Sequence, residues 1–238
     1  MKGLKLLKLT RNDTLRDELI QEIDESMHDD NRAQPSVSGM IYCLTKTFYE
    51  NEMVMPNEQG IKRVKHTDQQ VMLFITGLGL EKVILSGRQV IKAGNTDGIQ
   101  WHIDQLEVGD KNFMEIKSTR ISASKIFSDK DLSEGWVKQI LAYFYVNGIT
   151  EGDLAILHLM GNYKPPFPEL VVWHMEASNE EISTNWDWIK ERSYTYADAV
   201  RSGEPPTPFK HNMEWECNNC NWKGLCTAKS TLSSMRTV

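Results

Sequence analysis

The sequence predicts a mixed α/β fold, and three observations lead to that prediction. Apolar residues recur every three or four positions in the first third of the chain and again after residue 133, which indicates helices. Two other regions have short apolar and β-branched runs bounded by turn residues, which are typical of strands. The resulting order is helices, three strands, a helix, two strands and a helix, which suits a mixed sheet flanked by helices.

Three helices are predicted in the first part of the chain. Residues 12–29 place leucine and isoleucine at helical spacing among acidic residues, which indicates a solvated helix with one apolar edge. Residues 36–49 follow a proline and predict a second helix with Cys43 in its middle. Residues 58–76 predict a third helix, which is expected to end at Gly77-Leu78-Gly79 because glycine commonly terminates helices.

The hydrophobic period then changes to that of strands. Strands are predicted at 81–92, 97–106 and 112–118, with the first turn at Ala93-Gly94-Asn95. We expect these three strands to form an antiparallel meander.

Helix and strand signals alternate in the second half of the chain. Ser133 is placed to cap a helix that ends at Gly148. Ser178 and Glu181 have the capping-box spacing and predict a helix that runs to about Ala199. Two strands are predicted between these helices, at 153–160 and 169–175.

The composition is that of an ordinary globular protein. The chain has 238 residues, 25% of them charged and 40% hydrophobic, which excludes collagen, coiled coils and wholesale disorder. A chain of this length buries roughly 70% of its unfolded surface, so no metal is needed merely to obtain a core. We expect one domain over 1–238, with a helical part at 1–80, a sheet core at 81–177 and a C-terminal helix with a cysteine-rich tail at 178–238.

The net charge of −6 argues against a protein that coats nucleic acid, because phosphate neutralisation needs an excess of lysine and arginine. A local basic groove is compatible with that charge. Lysines at positions 2, 5 and 8 interrupt the apolar start, so we expect neither a signal peptide nor a membrane span. Cysteines without a secretion signal predict a reducing compartment and hence a cytoplasmic location. The chain has no Walker-type loop, so we expect no ATP-driven motor.

A Glu-Ile-Lys triplet carries the strongest chemical pattern in the sequence. Residues two apart on a strand share a face, so Glu115 and Lys117 are held side by side while Ile116 faces the core. We expect the hairpin to bring Asp97 close to Glu115; Asp104, which lies mid-strand, is a rival. Two carboxylates and a strand carbonyl suit Mg²⁺ or Mn²⁺, and a lysine can orient or deprotonate a water. An ordinary exposed Glu–Lys pair is the alternative interpretation.

The helix predicted after these strands offers two further polar side chains. Gln139 and Tyr143 are four residues apart and therefore lie on one helical face. A half-buried amide and phenol that bond to nearby backbone are the alternative interpretation.

Three of the four cysteines lie within ten residues of each other. Cys217, Cys220 and Cys226 have spacers of two and five residues, which can bring three thiolates to one ion or cluster. The fourth ligand is then Cys43, so the set would join the two ends of the chain. Four thiolates suit either tetrahedral Zn²⁺ or an iron–sulfur cluster, and spacing does not separate the two; free reduced thiols are the remaining alternative.

Taken together and in this order, the motifs resemble those of RecB-type PD-(D/E)xK nucleases with an iron–sulfur cluster. The similarity is greatest to the stand-alone CRISPR-associated RecB-like exonucleases and their phage and viral relatives. The segments that carry it are 36–49, 60–66, 94–97, 115–117, 139–143 and the cysteine tail. The resemblance implies a restriction-endonuclease-like mixed sheet flanked by helices, with N- and C-terminal segments joined by a four-cysteine 4Fe-4S cluster.

The same resemblance implies a set of metal ligands. Asp97 and Glu115 would bind Mg²⁺ or Mn²⁺ together with the carbonyl of Ile116. His66 would be an additional metal ligand, with a helix-surface histidine as the alternative.

Three further side chains take catalytic roles by the same resemblance. Lys117 would be the catalytic lysine, and Gln139 and Tyr143 would support the site and the DNA backbone. Basic residues flank the site and could guide a strand; they are Lys62, Arg63, Lys65, Lys117, Arg120 and Lys125.

The function implied is that of a metal-dependent DNA exonuclease that prefers single-stranded or frayed ends. Its role would be in CRISPR adaptation, with CRISPR integrase proteins as partners, or in phage recombination in a host cytoplasm. Two alternatives come from other classes of protein: a DNA-binding or assembly module that keeps the cluster without turnover, and a redox sensor that uses the cluster.

Overall fold

A computed structural model describes residues 13–26, 35–54, 66–84, 89–106, 114–125, 132–160, 168–207, 214–218 and 220–235. The helices in these ranges are α1 (Asp13–Ser26), α2 (Val37–Ile41), α3 (Leu44–Phe48), α4 (Asp68–Ile84), α5 (Glu134–Asn147), α6 (Asn179–Ser202), α7 (Glu214–Asn218) and α8 (Lys223–Met235). The strands are β1 (Gln89–Thr96), β2 (Ile99–Leu106), β3 (Met114–Thr119), β4 (Glu151–His158) and β5 (Glu169–Glu176). A π-helical turn (Tyr49–Met53) follows α3, and a 3₁₀ turn (Ala123–Lys125) follows β3.

The strands form a hairpin and a mixed sheet. β1 and β2 pair antiparallel, whereas β3, β4 and β5 form a second sheet in that spatial order. β3 pairs with β4 in parallel and β4 pairs with β5 antiparallel. The hairpin adjoins the mixed sheet through contacts between β2 and β3, and α4 also contacts β3. The predicted mixed α/β class is confirmed.

The main core lies between the mixed sheet and helices α2, α5 and α6. Because α5 joins the parallel neighbours β3 and β4, it crosses over one face of the sheet. Leu154 and Ile156 of β4 are fully buried, as are Phe144 of α5 and Trp186 of α6. Burial of each such side chain stabilises the fold by about 1.5–3 kcal/mol.

The helix boundaries predicted in the second half of the chain are confirmed, but the Ser133 side chain, predicted to cap α5, makes no capping hydrogen bond. Gly148 adopts φ 64° and ends α5, as its position after the apolar run indicates. The Ser178 hydroxyl accepts from the Glu181 N–H, and the Glu181 carboxylate accepts from the Ser178 N–H, so the capping box opens α6. α6 ends at Ser202, three residues beyond the predicted end.

The single helix predicted over 36–49 is wrong, because the chain forms the two short helices α2 and α3 there. The Cys43 N–H donates to the Glu216 carboxylate at 2.9 Å instead of to a carbonyl one turn earlier. The Arg192 guanidinium donates to the Tyr42 carbonyl. Side chains from distant parts of the chain therefore satisfy the backbone groups that the helix break exposes.

The predicted turn at 93–95 is also wrong, since β1 continues to Thr96 and the turn is Asp97-Gly98. Asp97 has φ 53° and Gly98 has φ 81°, the left-handed pair that a tight hairpin needs. Gly94 instead lies under the Trp101 indole, where a Cβ would overlap the ring. The glycine at position 94 is therefore explained by this close contact within the hairpin and not by a turn.

The third predicted helix is displaced along the chain. α4 begins at Asp68 and passes through Gly77 and Gly79, the glycines expected to end it, and the predicted strand at 81–92 starts only at Gln89. A Cβ at Gly77 would lie 3.9 Å from the Ser118 Oγ of β3, an ordinary van der Waals distance, so α4 passes beside this strand without needing a glycine there. Residues 58–65 of the predicted helix lie outside the described residues.

The predicted three-stranded meander is wrong because β3 pairs in parallel with β4 across the α5 connection. The cysteine-rich tail, expected to be irregular, contains α7 and α8. Among the described residues, none of the helices is both long enough and apolar enough to span a bilayer.

Candidate active site

Glu115 and Lys117 stand side by side on one face of β3. Glu115 Oε1 lies 2.5 Å from Lys117 Nζ, and the Glu115 side chain is only 5% exposed. Glu115 Oε2 is buried as well. The buried carboxylate is an oxygen ligand of the kind that binds a divalent cation. The ammonium lies directly beside it.

Helix α5 adds two polar side chains to this pair. Lys117 Nζ donates to Gln139 Oε1 at 3.0 Å, and Gln139 Nε2 donates to Tyr143 Oη at 2.7 Å. Gln139 and Tyr143 meet because they are four residues apart on a helix that crosses the strand face. The structure therefore brings four predicted site residues into one continuous polar chain.

Tyr42, which the sequence analysis did not assign, also lies beside this group. Burial raises the pKa of its phenol; the Lys117 charge opposes that shift, while the Glu216 and Glu115 charges add to it. A Cβ at Gly135 would come within 2.8 Å of the Tyr42 ring, so the start of α5 packs directly on this side chain. The only feature of the sequence that could have indicated Tyr42 as a site residue is its position next to Cys43.

Asp97 lies in the hairpin turn, beside Trp186 of α6. Its carboxylate accepts a hydrogen bond from the indole N–H of Trp186 at 2.8 Å, and the Trp186 ring stacks on Tyr145 with centroids 4.7 Å apart. Tyr145 follows Tyr143 by two residues, about 200° around the helix. Asp97 therefore lies on a different side of α5 from the polar chain, where it anchors the hairpin to α6.

Asp104, the rival carboxylate, is placed differently along the same strand. It lies in β2 opposite Ile91, two residues before the strand ends. Seven residues, about 23 Å of extended chain at ~3.3 Å each, separate it from Asp97. From its end of β2 the chain passes through 107–113 into β3, the strand of Glu115.

His66 lies between α1 and α4. Its Nδ1 is 2.7 Å from Asp24 Oδ1, and its ring meets Phe74 edge-on at 5.0 Å. Its assignment as a metal ligand stays a prediction.

The backbone between Cys43 and the C-terminal cysteines is tied together. Glu216, which accepts from the Cys43 N–H, directly precedes Cys217, and the Tyr49 ring lies 5.2 Å from that of Trp222. The segment around Cys43 thus meets the segment around Cys217, where the sequence predicted a cysteine site.

The thiols influence one another electrostatically. Burial raises the pKa of Cys226, and the nearby Cys43, Cys220 and Cys217 thiols raise it further. No three of these described sulfur atoms lie within 4.8 Å of one another. The four thiols therefore do not form a cluster in this structure.

The basic residues predicted to flank the site are described only in part. Arg120 directly follows β3 and Lys125 ends the 3₁₀ turn, and both are exposed. Lys62, Arg63 and Lys65 lie outside the described residues.

No protein-family model matches the chain, and no curated protein matches it. Among solved structures, the fold is similar to that of SSO0001, with 18% identity and a TM-score of 0.52 over 91% of this chain and 97% of that one. A phage-related exonuclease from Haemophilus somnus 129PT gives a TM-score of 0.44 at 11% identity over 76% of this chain and 99% of that one. The alkaline exonuclease LHK-Exo from Laribacter hongkongensis gives 0.39 at 13% identity over 77% and 97%.

Proposed function

We propose that the chain is a metal-dependent DNA exonuclease with a restriction-endonuclease-like core. The observation that carries this proposal is the partly buried polar chain of Glu115, Lys117, Gln139 and Tyr143. A buried ion pair is weak evidence for stability, because apolar side chains of similar volume often serve as well. An acid that can bind a divalent ion, with an ammonium beside it to position a water, suits metal-dependent phosphodiester hydrolysis.

The metal ligands come from the two adjoining strands β2 and β3. Glu115 and the Ile116 carbonyl provide oxygen ligands for Mg²⁺ or Mn²⁺. Because Trp186 holds Asp97 at the far end of the hairpin, we assign the second carboxylate to Asp104. A bound divalent ion would lower the pKa of a water and stabilise negative charge on the phosphate.

Lys117 positions the attacking water and supports the proton transfers of the reaction. Its ammonium, fixed between the Glu115 carboxylate and the Gln139 amide, orients the water whose oxygen attacks phosphorus. As the water oxygen bonds to phosphorus, the water gives up a proton to solvent. The P–O bond to the leaving sugar oxygen then breaks, and that oxygen takes up a proton from solvent. Gln139 and Tyr143 hold Lys117 in place from α5.

Arg120 and Lys125 provide positive charge beyond the end of β3, where a single strand could be guided to the site. The four cysteines would hold a 4Fe-4S cluster, in which iron and sulfide ions separate the thiolates more widely than one zinc ion would. The resemblance connects such an enzyme with DNA processing before CRISPR integration or with phage recombination.

The test follows single-stranded DNA labelled at either end, incubated with anaerobically purified protein and Mn²⁺, Mg²⁺ or chelator. We expect metal-dependent shortening from one end, and a loss of at least about 100-fold in Glu115→Gln and Lys117→Ala, as for removal of groups that act in proton transfer.

Asp104→Asn and Asp97→Asn form a matched pair for the second carboxylate. Asp104→Asn is expected to abolish cleavage and Asp97→Asn to retain it. The opposite result would return the role to Asp97. A folded protein that binds DNA and leaves it intact would overturn the enzyme assignment in favour of a DNA-binding or assembly module.

A further inference from the structure

We propose that Glu151, His174 and Glu176 form a second divalent-ion site at the β4–β5 edge of the mixed sheet. It is independent of the proposed nuclease site. Glu151 pairs with Glu176 across the two strands, and Asp153 pairs with His174 two residues further along. Residues two apart on a strand share a face, so all four side chains project from the same side of the sheet.

That side is the one opposite the polar chain described above. In the parallel pairing of β3 with β4, Glu115 stands opposite Leu154, whereas Met114 stands opposite Asp153. Neighbouring residues along a strand point to opposite faces. The Glu151, His174 and Glu176 group therefore cannot share an ion with Glu115.

The distances suit shared coordination better than hydrogen bonding. His174 Nε2 lies 3.6 Å from Glu151 Oε2 and 3.5 Å from Glu176 Oε1. These distances exceed the ordinary range of N–H···O bonds. They approach the edge of about 3.4 Å between ligands of a tetrahedral ion with bonds of ~2.1 Å. Three potential ligand atoms, one from each residue, lie within 4.8 Å of one another.

Asp153 orients the imidazole for such a role. Its side chain is 8% exposed, and its Oδ1 lies 2.8 Å from His174 Nδ1. A proton held at Nδ1 by this carboxylate leaves the Nε2 lone pair directed between the two glutamates. A carboxylate that accepts from the other ring nitrogen in this way usually orients a histidine that binds a metal.

The charge of the group and its exposure to solvent indicate which ion it would bind. Three carboxylates surround one imidazole, so the group is net negative even when His174 is protonated. Imidazole with carboxylates favours Mn²⁺ or Zn²⁺ over Mg²⁺ or Ca²⁺. An open cleft of about 350 Å³ adjoins the two glutamates, and its lining residues are Thr150, Glu151, Glu176, Ala177, Ser178 and Glu181. His174 is itself exposed to solvent, so water can reach the group.

The test counts Mn²⁺ bound to the full-length, metal-free protein by the loss of the six-line resonance signal of free Mn²⁺. Mn²⁺ is chosen because thiolates compete for it poorly. His174→Ala is expected to bind one equivalent fewer than the wild type. Asp153→Asn is expected to weaken that equivalent about 10- to 100-fold, the usual cost of removing a second-shell partner. The matched control is Glu180→Gln. Glu180 is exposed, lies in the first turn of α6 and is outside the group, so its replacement should leave the Mn²⁺ count unchanged.

Variants of Glu115 and His174 distinguish this proposed site from the proposed nuclease metal site. Glu115→Gln should remove a different equivalent, and the Glu115→Gln/His174→Ala double variant should lose both. If Glu115→Gln keeps the wild-type count while His174→Ala loses one, the nuclease metal fails and this site stands.

An unchanged count in His174→Ala would overturn the proposal and leave only a solvated group of acids around a histidine. Circular dichroism checks the fold of each variant. Should His174→Ala fail to fold, Glu176→Gln at an exposed position of β5 serves instead, with an expected loss of affinity of at least tenfold.

Discussion

At the scale of single residues, the Lys117 ammonium has two different neighbours. The Glu115 carboxylate supplies charge, and the Gln139 amide oxygen supplies direction without charge. The Gln139 amide nitrogen donates in turn to Tyr143, which determines which end of the amide faces the lysine. Gln139 therefore acts through Lys117, as a positioning residue.

Removal of that positioning is the first prediction. Gln139→Leu keeps the side-chain volume and deletes both hydrogen bonds, so we expect kcat to fall about tenfold while DNA affinity, measured by fluorescence anisotropy, changes little. Lys138→Met, one residue earlier and paired with Glu134, is the control. Equal losses in the two variants would mean that α5 is merely disturbed.

Asp97 has a structural role in the hairpin. Asp97→Ala removes the acceptor of the Trp186 indole and places alanine at φ 53°. A hydrogen bond to a charged group contributes about 1.5–3 kcal/mol, so we expect urea titration to show a loss of about 2 kcal/mol. Asp187→Ala, which breaks an exposed pair with Lys190 on α6, should cost less than about 1 kcal/mol.

At the scale of elements, the two ends of α5 have different surroundings. The first turn packs on Tyr42, whereas the helix ends at Gly148, where a Cβ would have no neighbour within 4 Å. Gly135→Ala would normally stabilise a helix by about 1 kcal/mol. Here its Cβ would overlap the Tyr42 ring, so we expect a net loss of about 1–3 kcal/mol in urea titration, the cost of overpacking. Gly224→Ala in α8 has nothing within 4 Å of the new Cβ and should stabilise.

The π-helical turn after α3 provides a pH-dependent prediction. Burial raises the pKa of Glu50, and Lys46 and His66 oppose the shift. A carboxyl with a higher pKa in the folded state binds more protons when folded, so its favourable contribution at low pH is lost as the pH rises through that pKa. Glu50→Gln should therefore raise the free energy of unfolding at pH 7 and give no gain below pH ~4, as urea titrations at both values would show. Exposed Glu22→Gln is the control.

Elements with a local cause were predictable from sequence, and those with a distant cause were not. α5 and α6 carry their caps in their own residues, Gly148 and the Ser178 capping box. The break at Cys43 depends on Glu216, 173 residues away, and no local pattern contains that partner. Gly94 misled the turn prediction because its neighbour is a side chain across the hairpin.

The candidate site divides in the same way. The spacing of Glu115 and Lys117 on a strand and that of Gln139 and Tyr143 on a helix each define a face, so both pairs were within reach of sequence reasoning. Whether Asp97 or Asp104 completes the site stays a prediction. The position of the hairpin turn, which places Asp97 in the turn itself and Asp104 within β2, was not predictable from the local pattern.

At the scale of the whole molecule, the described segments that carry Cys43 and Cys217 lie against each other. Cys220→Ala in protein purified without oxygen is expected to be colourless and to melt at a lower temperature, because ligand binding free energy is also folding free energy. Absorbance near 400 nm and thermal unfolding measure the two effects. Ser234→Ala in the same C-terminal region is the control. A brown, stable Cys220→Ala protein would contradict the four-thiolate site.

The contact between Cys43 and Glu216 also orders events during synthesis. The two residues are 173 positions apart, and a ribosome adding ~5–20 residues per second needs about 10–35 s to pass from one to the other. Throughout that interval the nascent α2–α3 break lacks the carboxylate that satisfies its backbone N–H. By the end of the interval, β3, α5 and β4 have already been synthesised. The parts that hold Lys117 can therefore assemble before Cys43 meets Glu216.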